Sequence, residues 1–129
     1  MDKRLPIDIV PKVWGKETWY VNNDMYCGKI LSIQKNYFSS EHLHRDKVET
    51  FAVLSGHVMV VIFDKSGDKK FISMKKDDCL DIPACTVHQL RAIEDSEILE
   101  ISTHHEDSDS YRVSKSGYQP TVTYEGDED

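Results

Sequence analysis

His42-Leu43-His44, then Glu49, then Pro83 followed by His88 are the residue types from which a metal site is built: three imidazoles and one carboxylate. Side chains alternate faces along an extended strand, so His42 and His44 point to one side and form half a chelate. From His44 to Glu49 the parity is odd. The intervening Arg45-Asp46-Lys47-Val48 is polar enough to turn the chain and reset the face, which lets Glu49 rejoin the pair. A His-x-His pair alone also decorates exposed strands; Glu49 and the distant His88 are what turn the reading toward a metal. Neutral imidazoles beside an ionised carboxylate suit one divalent transition ion, Zn, Mn, Fe, Co or Ni, with open positions for water or substrate if the ion is octahedral.

The surrounding pattern must bring these residues together. Residues 49–54 read as a strand that ends at Ser55-Gly56, where glycine permits a tight turn. Pro83 lacks a backbone donor and ends strand pairing, and a short loop then leads to His88 at the start of a new apolar run, near a barrel rim. Strands are predicted at 17–21, 28–34, 42–44, 50–54, 57–63, 70–74, 79–82, 88–92 and 97–103, with turn signals at 22–24, 64–68 and 94–96. Many short strands and no sustained helical period predict an all-β single domain, a closed barrel or jelly roll that limits exposed edges. Residues 1–13, broken by Pro6 and Pro11, are expected to form an extended arm that pairs with a partner subunit. The barrel is expected over 14–118, and 119–129 as an acidic tail.

Residues 39–56 resemble the first motif of the cupin superfamily, and 82–88 the second. More narrowly, the chain resembles the cupin domain of type II mannose-6-phosphate isomerases, through Pro11-Lys12-Val13-Trp14-Gly15, the lysine-bearing strand Cys27-Gly28-Lys29-Ile30-Leu31, and Ile98-Leu99-Glu100-Ile101-Ser102-Thr103 followed by an acidic run and Arg112. The likeness spans about residues 11–118. It implies a double-stranded β-helix, a homodimer and a role in carbohydrate metabolism. The departures are specific. The family usually has glutamine at His42 and arginine at Lys47, so the site is richer in histidine and its nearby cation less fork-like. Gln89 stands where an arginine is common, Cys85 replaces a glycine, and no arginine follows Gly117-Tyr118-Gln119.

With 129 residues, 39% hydrophobic and 30% charged, the chain suits one compact globular domain. A net charge of -7 and a pI near 5.3 disfavour nucleic acid and anionic membrane surfaces. No stretch is apolar enough to span a bilayer or serve as a signal peptide core, so a cytoplasmic protein is expected. Cys27, Cys79 and Cys85 are odd in number and lack a Cys-x-x-Cys spacing, and they read as reduced, small buried hydrophobes.

An open metal beside acid and base groups suits proton transfer next to a carbonyl, which points to an aldose-ketose isomerase acting on a small sugar or sugar phosphate. Glu100 is the expected proton carrier, because Glu49 as a metal ligand is the poorer base, and Lys47 is expected beside it as a catalytic cation. Glu100 interrupts an apolar run and could face either water or the barrel; the resemblance assigns it inside. Lys29, Lys35, Arg91 and Phe51 are the expected substrate contacts, with Phe51 and Val53 on the face of Glu49. His104-His105 reads as an exit loop. Two alternatives fit the same ligands: a noncatalytic metal- and sugar-binding cupin, and an Fe(II) cupin oxygenase.

Overall fold

The computed structural model describes residues 2–120. In chain order the strands are β1 (Asp8–Lys12), β2 (Gly15–Asn22), β3 (Cys27–Ile33), β4 (Tyr37–Phe38), β5 (His42–His44), β6 (Glu49–Ser55), β7 (His57–Phe63), β8 (Lys69–Lys75), β9 (Cys79–Ile82), β10 (His88–Ala92), β11 (Ser96–Ser102), β12 (Ser110–Arg112) and β13 (Gly117–Tyr118). A single 3-10 turn, Asp107–Asp109, precedes β12. The fold is the mostly β jelly roll expected. Four of the nine predicted strands, 42–44, 57–63, 79–82 and 88–92, have the predicted bounds.

One sheet runs in the order β1, β2, β3, β11, β6, β9, every pair antiparallel. In the other, β10 pairs with β7 along one edge, while its second edge is shared by β5, through His88 opposite His42, and β4, through Arg91 opposite Phe38. β12 extends β5, β13 extends β4, and β8 extends β7.

Period-two alternation explains the interior. In β3 the buried set is Cys27, Lys29, Leu31 and Ile33; in β6 it is Glu49, Phe51 and Val53, with Leu54 exposed. Leu31, Ile33, Phe51, Val53, Val58, Val60, Leu90 and Ile98 form one apolar cluster. Each such side chain contributes about 1.5–3 kcal/mol on burial, which offsets the cost of placing lysines and glutamates on the same inner faces. The barrel is therefore apolar at one end and ionic at the other.

The structure corrects the expectation for the cysteines and places the N-terminal arm in the sheet. Asp8 to Lys12 lie opposite Trp19 to Gly15 of the same chain, so Val13-Trp14 closes a hairpin. Pro11 is tolerated there because β1 is a sheet edge. Of the cysteines, only Cys27 is buried; Cys79 and Cys85 are exposed, since β9 turns Cys79 outward and Cys85 lies in the rim loop. The part of the acidic tail at 121–129 falls outside the described residues. No helix among the described residues is long and apolar enough to cross a membrane.

Candidate metal centre

β5 turns the imidazoles of His42 and His44 inward, and the chain must then reverse to bring Glu49 back. Asp109 organises that reversal: its Oδ1 accepts the backbone N–H of Arg45 at 2.9 Å, and its Oδ2 those of Asp46 at 3.2 Å and Lys47 at 3.0 Å. The result is the change of face between His44 and Glu49 that simple alternation forbids. His88 arrives from the other side. The loop after Pro83 is pinned by the Cys85 N–H donating to His44 O at 2.6 Å, with Cys85 in the left-handed region at φ 63°. A glycine would occupy that conformation without strain.

The ligand atoms of His42, His44 and His88 all lie within 4.8 Å of one another. Each ring is oriented by its second nitrogen: Nδ1 of His42 donates to Ser40 O at 2.9 Å, that of His44 to Asp109 O at 3.2 Å, and that of His88 to Thr86 O at 2.9 Å. With Nδ1 protonated, each Nε2 carries a lone pair, the arrangement that metal-binding imidazoles require. Glu49 Oε2 lies 3.4 Å from His44 Nε2 and 3.3 Å from His88 Nε2. Glu49 Oε2 and His88 Nε2 are buried and without hydrogen-bond partners. Orphaned polar atoms facing one another are costly unless an ion satisfies both. The buried three-histidine cluster fits a single divalent transition metal, and Glu49 is placed to join it.

Burial pushes His42 down to about 3, with His88 as the next cause, and His44 to about 4, with Lys47 next. Both rings are therefore neutral near pH 7, as ligands must be. Glu49 is held below the usual carboxylate range: burial would raise it, but His88 and Lys47 outweigh burial. Glu100 is displaced the other way, upward, by burial and then by the charge of Glu49. Lys47 links the two carboxylates, its Nζ 2.9 Å from Glu100 Oε2 and 3.7 Å from Glu49 Oε1. For Lys47 burial acts downward, but Glu100 and Glu49 prevail and hold its ammonium above the ordinary value.

A cavity of about 540 Å³ opens over these groups, within the range of small-molecule sites. Of the predicted site residues, His42, His44, Glu49, His88, Lys47, Glu100, Lys29 and Phe51 all line it. Lys29 is nearly fully buried, 3.5 Å from Glu17 Oε1, 4.0 Å from Glu100 Oε2 and over the Trp19 ring. Lys35 and Arg91 do not line the cavity. Lys35 is exposed in the turn after β3, where its backbone bonds Asp95. Arg91 faces away from the cavity with its guanidinium over Phe71, and its Nε donates to Gln89 Oε1 at 2.8 Å.

Sequence reasoning missed Glu17, Asp109 and the cavity role of His105. His105 Nδ1 accepts from Lys47 Nζ at 3.0 Å and its Nε2 donates to Asp107 Oδ1 at 3.0 Å, so the expected exit loop is a wall of the site. The signal for Glu17 was available: it sits two residues before Trp19 on one strand face, and its Oε1 accepts from Trp19 Nε1 at 2.8 Å.

Residues 29–104 match a family model described as Cupin domain. No curated protein matches the chain. Among solved structures, oxalate decarboxylase from Bacillus subtilis at pH 4.6 is similar with a TM-score of 0.73 and 13% identity, covering 83% of this chain and 30% of that one. Lactobacillus farciminis oxalate decarboxylase in a formate complex gives 0.73 and 14%, covering 83% and 34%. The capsular polysaccharide assembling protein CapF from Staphylococcus aureus gives 0.68 and 20%, covering 84% and 34%. The chain spans about a third of the length of these proteins, and at such identities the likeness is one of fold.

Proposed function

The chain belongs to the cupin family, and from that premise we propose that it is a metal-dependent aldose-ketose isomerase acting on a small sugar or sugar phosphate. The observation that carries the reading is the buried Lys47–Glu100 pair at 2.9 Å, set against Glu49 beside the histidine cluster. A divalent metal held by His42, His44, Glu49 and His88 supplies, when bound, Lewis-acid polarisation of a substrate oxygen. Glu100 takes the proton from the carbon next to the carbonyl and returns it to its neighbour. Its proton affinity, raised by burial and then by the charge of Glu49, suits a group that takes up a proton and returns it. Lys47 Nζ orients Glu100 Oε2 and faces the oxygen on which negative charge develops, worth several kcal/mol in a water-poor cavity. Lys29 fixes Glu100 from the opposite side through its 4.0 Å approach, and Phe51 excludes water from the wall.

The resemblance to type II mannose-6-phosphate isomerases supports this reading, as does a cavity large enough to admit a small sugar or sugar phosphate. An Fe(II) oxygenase uses the same ligands but has no need of a buried carboxylate–ammonium pair. The test is to load the protein with each candidate metal and incubate it with mannose 6-phosphate, fructose 6-phosphate and the free sugars in deuterated buffer. Interconversion with deuterium entering at C2 is expected, and lost in Glu100→Gln. Sugar binding without turnover would leave a noncatalytic binding protein, and thiol- or diketone-dependent oxygen uptake an oxygenase.

A further inference from the structure

Resting on that reading of the site, we propose that Arg112, with the hydroxyls of Ser110 and Ser116, forms an oxyanion subsite at the cavity mouth that selects ligands carrying a phosphate or carboxylate. β12 lies antiparallel beside β5, with Ser110 opposite His44 and Arg112 opposite His42. Directly opposed residues on such strands have Cα atoms about 5 Å apart and project to one face. His42 and His44 point into the cavity, and Ser110 and Arg112 line it with them.

Charge pairing singles out Arg112. The cavity is lined by four cations, Lys12, Lys29, Lys47 and Arg112. Lys12 lies 3.9 Å from Glu17, Lys29 lies 3.5 Å from Glu17, and Lys47 lies 2.9 Å from Glu100. Among the described residues Arg112 makes no ion pair, and the Ser116 hydroxyl has no partner. The acid nearest in sequence, Asp109, is engaged by the backbone N–H groups of Arg45, Asp46 and Lys47, and Asp107 is held by His105 at 3.0 Å. Ser110 Oγ lies 3.4 Å from His44 Nδ1, so it accepts there and keeps its own proton to donate. A guanidinium presents paired donors that match a phosphate or carboxylate, and hydroxyls beside it complete the acceptor shell. A ligand whose anionic end rests on Arg112 reaches the histidine cluster across one inter-strand spacing, so the subsite selects small molecules with the charge a few bonds from the reacting oxygens.

The test uses isotope-labelled full-length chain with one equivalent of Zn, titrated separately with inorganic phosphate and with acetate while the Arg112 Nε–Hε resonance is followed, assigned by its loss in Arg112→Gln. Saturable movement with either anion is expected: saturation at lower phosphate concentration assigns phosphate-bearing ligands, and at lower acetate concentration carboxylates. Calorimetry should then show about tenfold or greater loss of affinity for the preferred anion in Arg112→Gln. Bound Zn should be unchanged, and Arg112→Lys should recover part of the affinity. No saturable movement with either anion, or equal affinity in Arg112→Gln, overturns the subsite. An absence of sugar isomerisation alongside an intact Arg112 response would remove the isomerase reading and leave the subsite standing.

Discussion

Glu49 Oε2 lies 3.3 Å from His88 Nε2, two lone-pair atoms facing each other, both buried and without a hydrogen-bond partner. A metal ion between them removes two desolvation penalties at once. Wild-type protein should therefore bind one divalent ion per chain. His44→Ala, His88→Ala and Glu49→Ala should each weaken it more than about 100-fold, beyond what loss of an outer-shell partner causes. Metal competition titration reads this, with circular dichroism confirming that each variant folds. Unchanged affinity in His88→Ala would remove the proposed centre.

The same ion should stabilise the fold. Metal that binds only the folded chain adds about 2.7 kcal/mol at a free concentration one hundred times its Kd. A clear rise in Tm with Zn or Mn is expected for wild type and none for a His44→Ala, His88→Ala double variant. Equal shifts in both would place the binding elsewhere.

Metal-free protein should lose stability on acidification. His42 and His44 are displaced down to about 3 and about 4, whereas in the unfolded chain they protonate near the ordinary 6.5. The unfolded state thus takes up protons first, so the full contribution is present above about pH 6.5 and is lost as pH falls toward about 4 and then 3. Two histidines give a slope of at most about 2.7 kcal/mol per pH unit in that window. Glu49, held low, acts in the same direction below the usual carboxylate range; Glu100, displaced upward, opposes it. Urea midpoints at pH 7.5 and 5 in the presence of a chelator check this: the midpoint should fall, and should fall much less in a His42→Gln, His44→Gln variant.

His42, His44 and Glu49 were legible because strand alternation and a polar reversal are local rules, written in residues 42–49, and His88 because Pro83 and a short loop precede a new apolar run. Glu100 was not legible from period two alone. Its strand carries apolar residues on both faces, Leu99 and Ile101 outward and Ile98 inward, so alternation could not say which way the carboxylate points. The resemblance resolved it, and the register of Glu100 opposite Lys29 and Phe51 gives the physical reason. Arg91 shows the converse failure: two residues beyond Gln89 on one strand face, it was assigned to the substrate, but that face is the outer one. Asp109 was hidden because its task is to accept backbone N–H groups some sixty residues away, and no local spacing records that.

Asp109 should matter without touching the metal. Burial would raise its carboxyl, yet the N–H groups of Lys47, Arg45 and Asp46 hold it below the ordinary range, so it works ionised. Asp109→Ala leaves those donors without their acceptor at the reversal between His44 and Glu49, and about 1–3 kcal/mol of stability should be lost. Metal affinity should fall about tenfold through misplacement of His44 and Glu49. Asp109→Asn, which keeps one acceptor oxygen, should lie between. A variant with normal metal affinity would show that the loop holds its shape without this carboxylate.

Lys47 and Glu100 should be strongly coupled in stability as well as in chemistry. Lys47→Met leaves Glu100 and Glu49 as buried carboxylates facing each other, and breaking a buried pair from one side costs about 3–5 kcal/mol. Glu100→Met is expected to cost less, because Lys29 keeps Glu17 at 3.5 Å and Lys47 keeps Glu49 at 3.7 Å. The double substitution replaces the pair by apolar side chains of similar length and should recover much of the Lys47→Met loss, while abolishing any isomerase activity. Denaturation of the four proteins in the cycle gives the coupling directly. Effects that add within about 0.5 kcal/mol would mean the two groups do not interact, and Lys47 would then have to be placed by Glu49 and His105 alone.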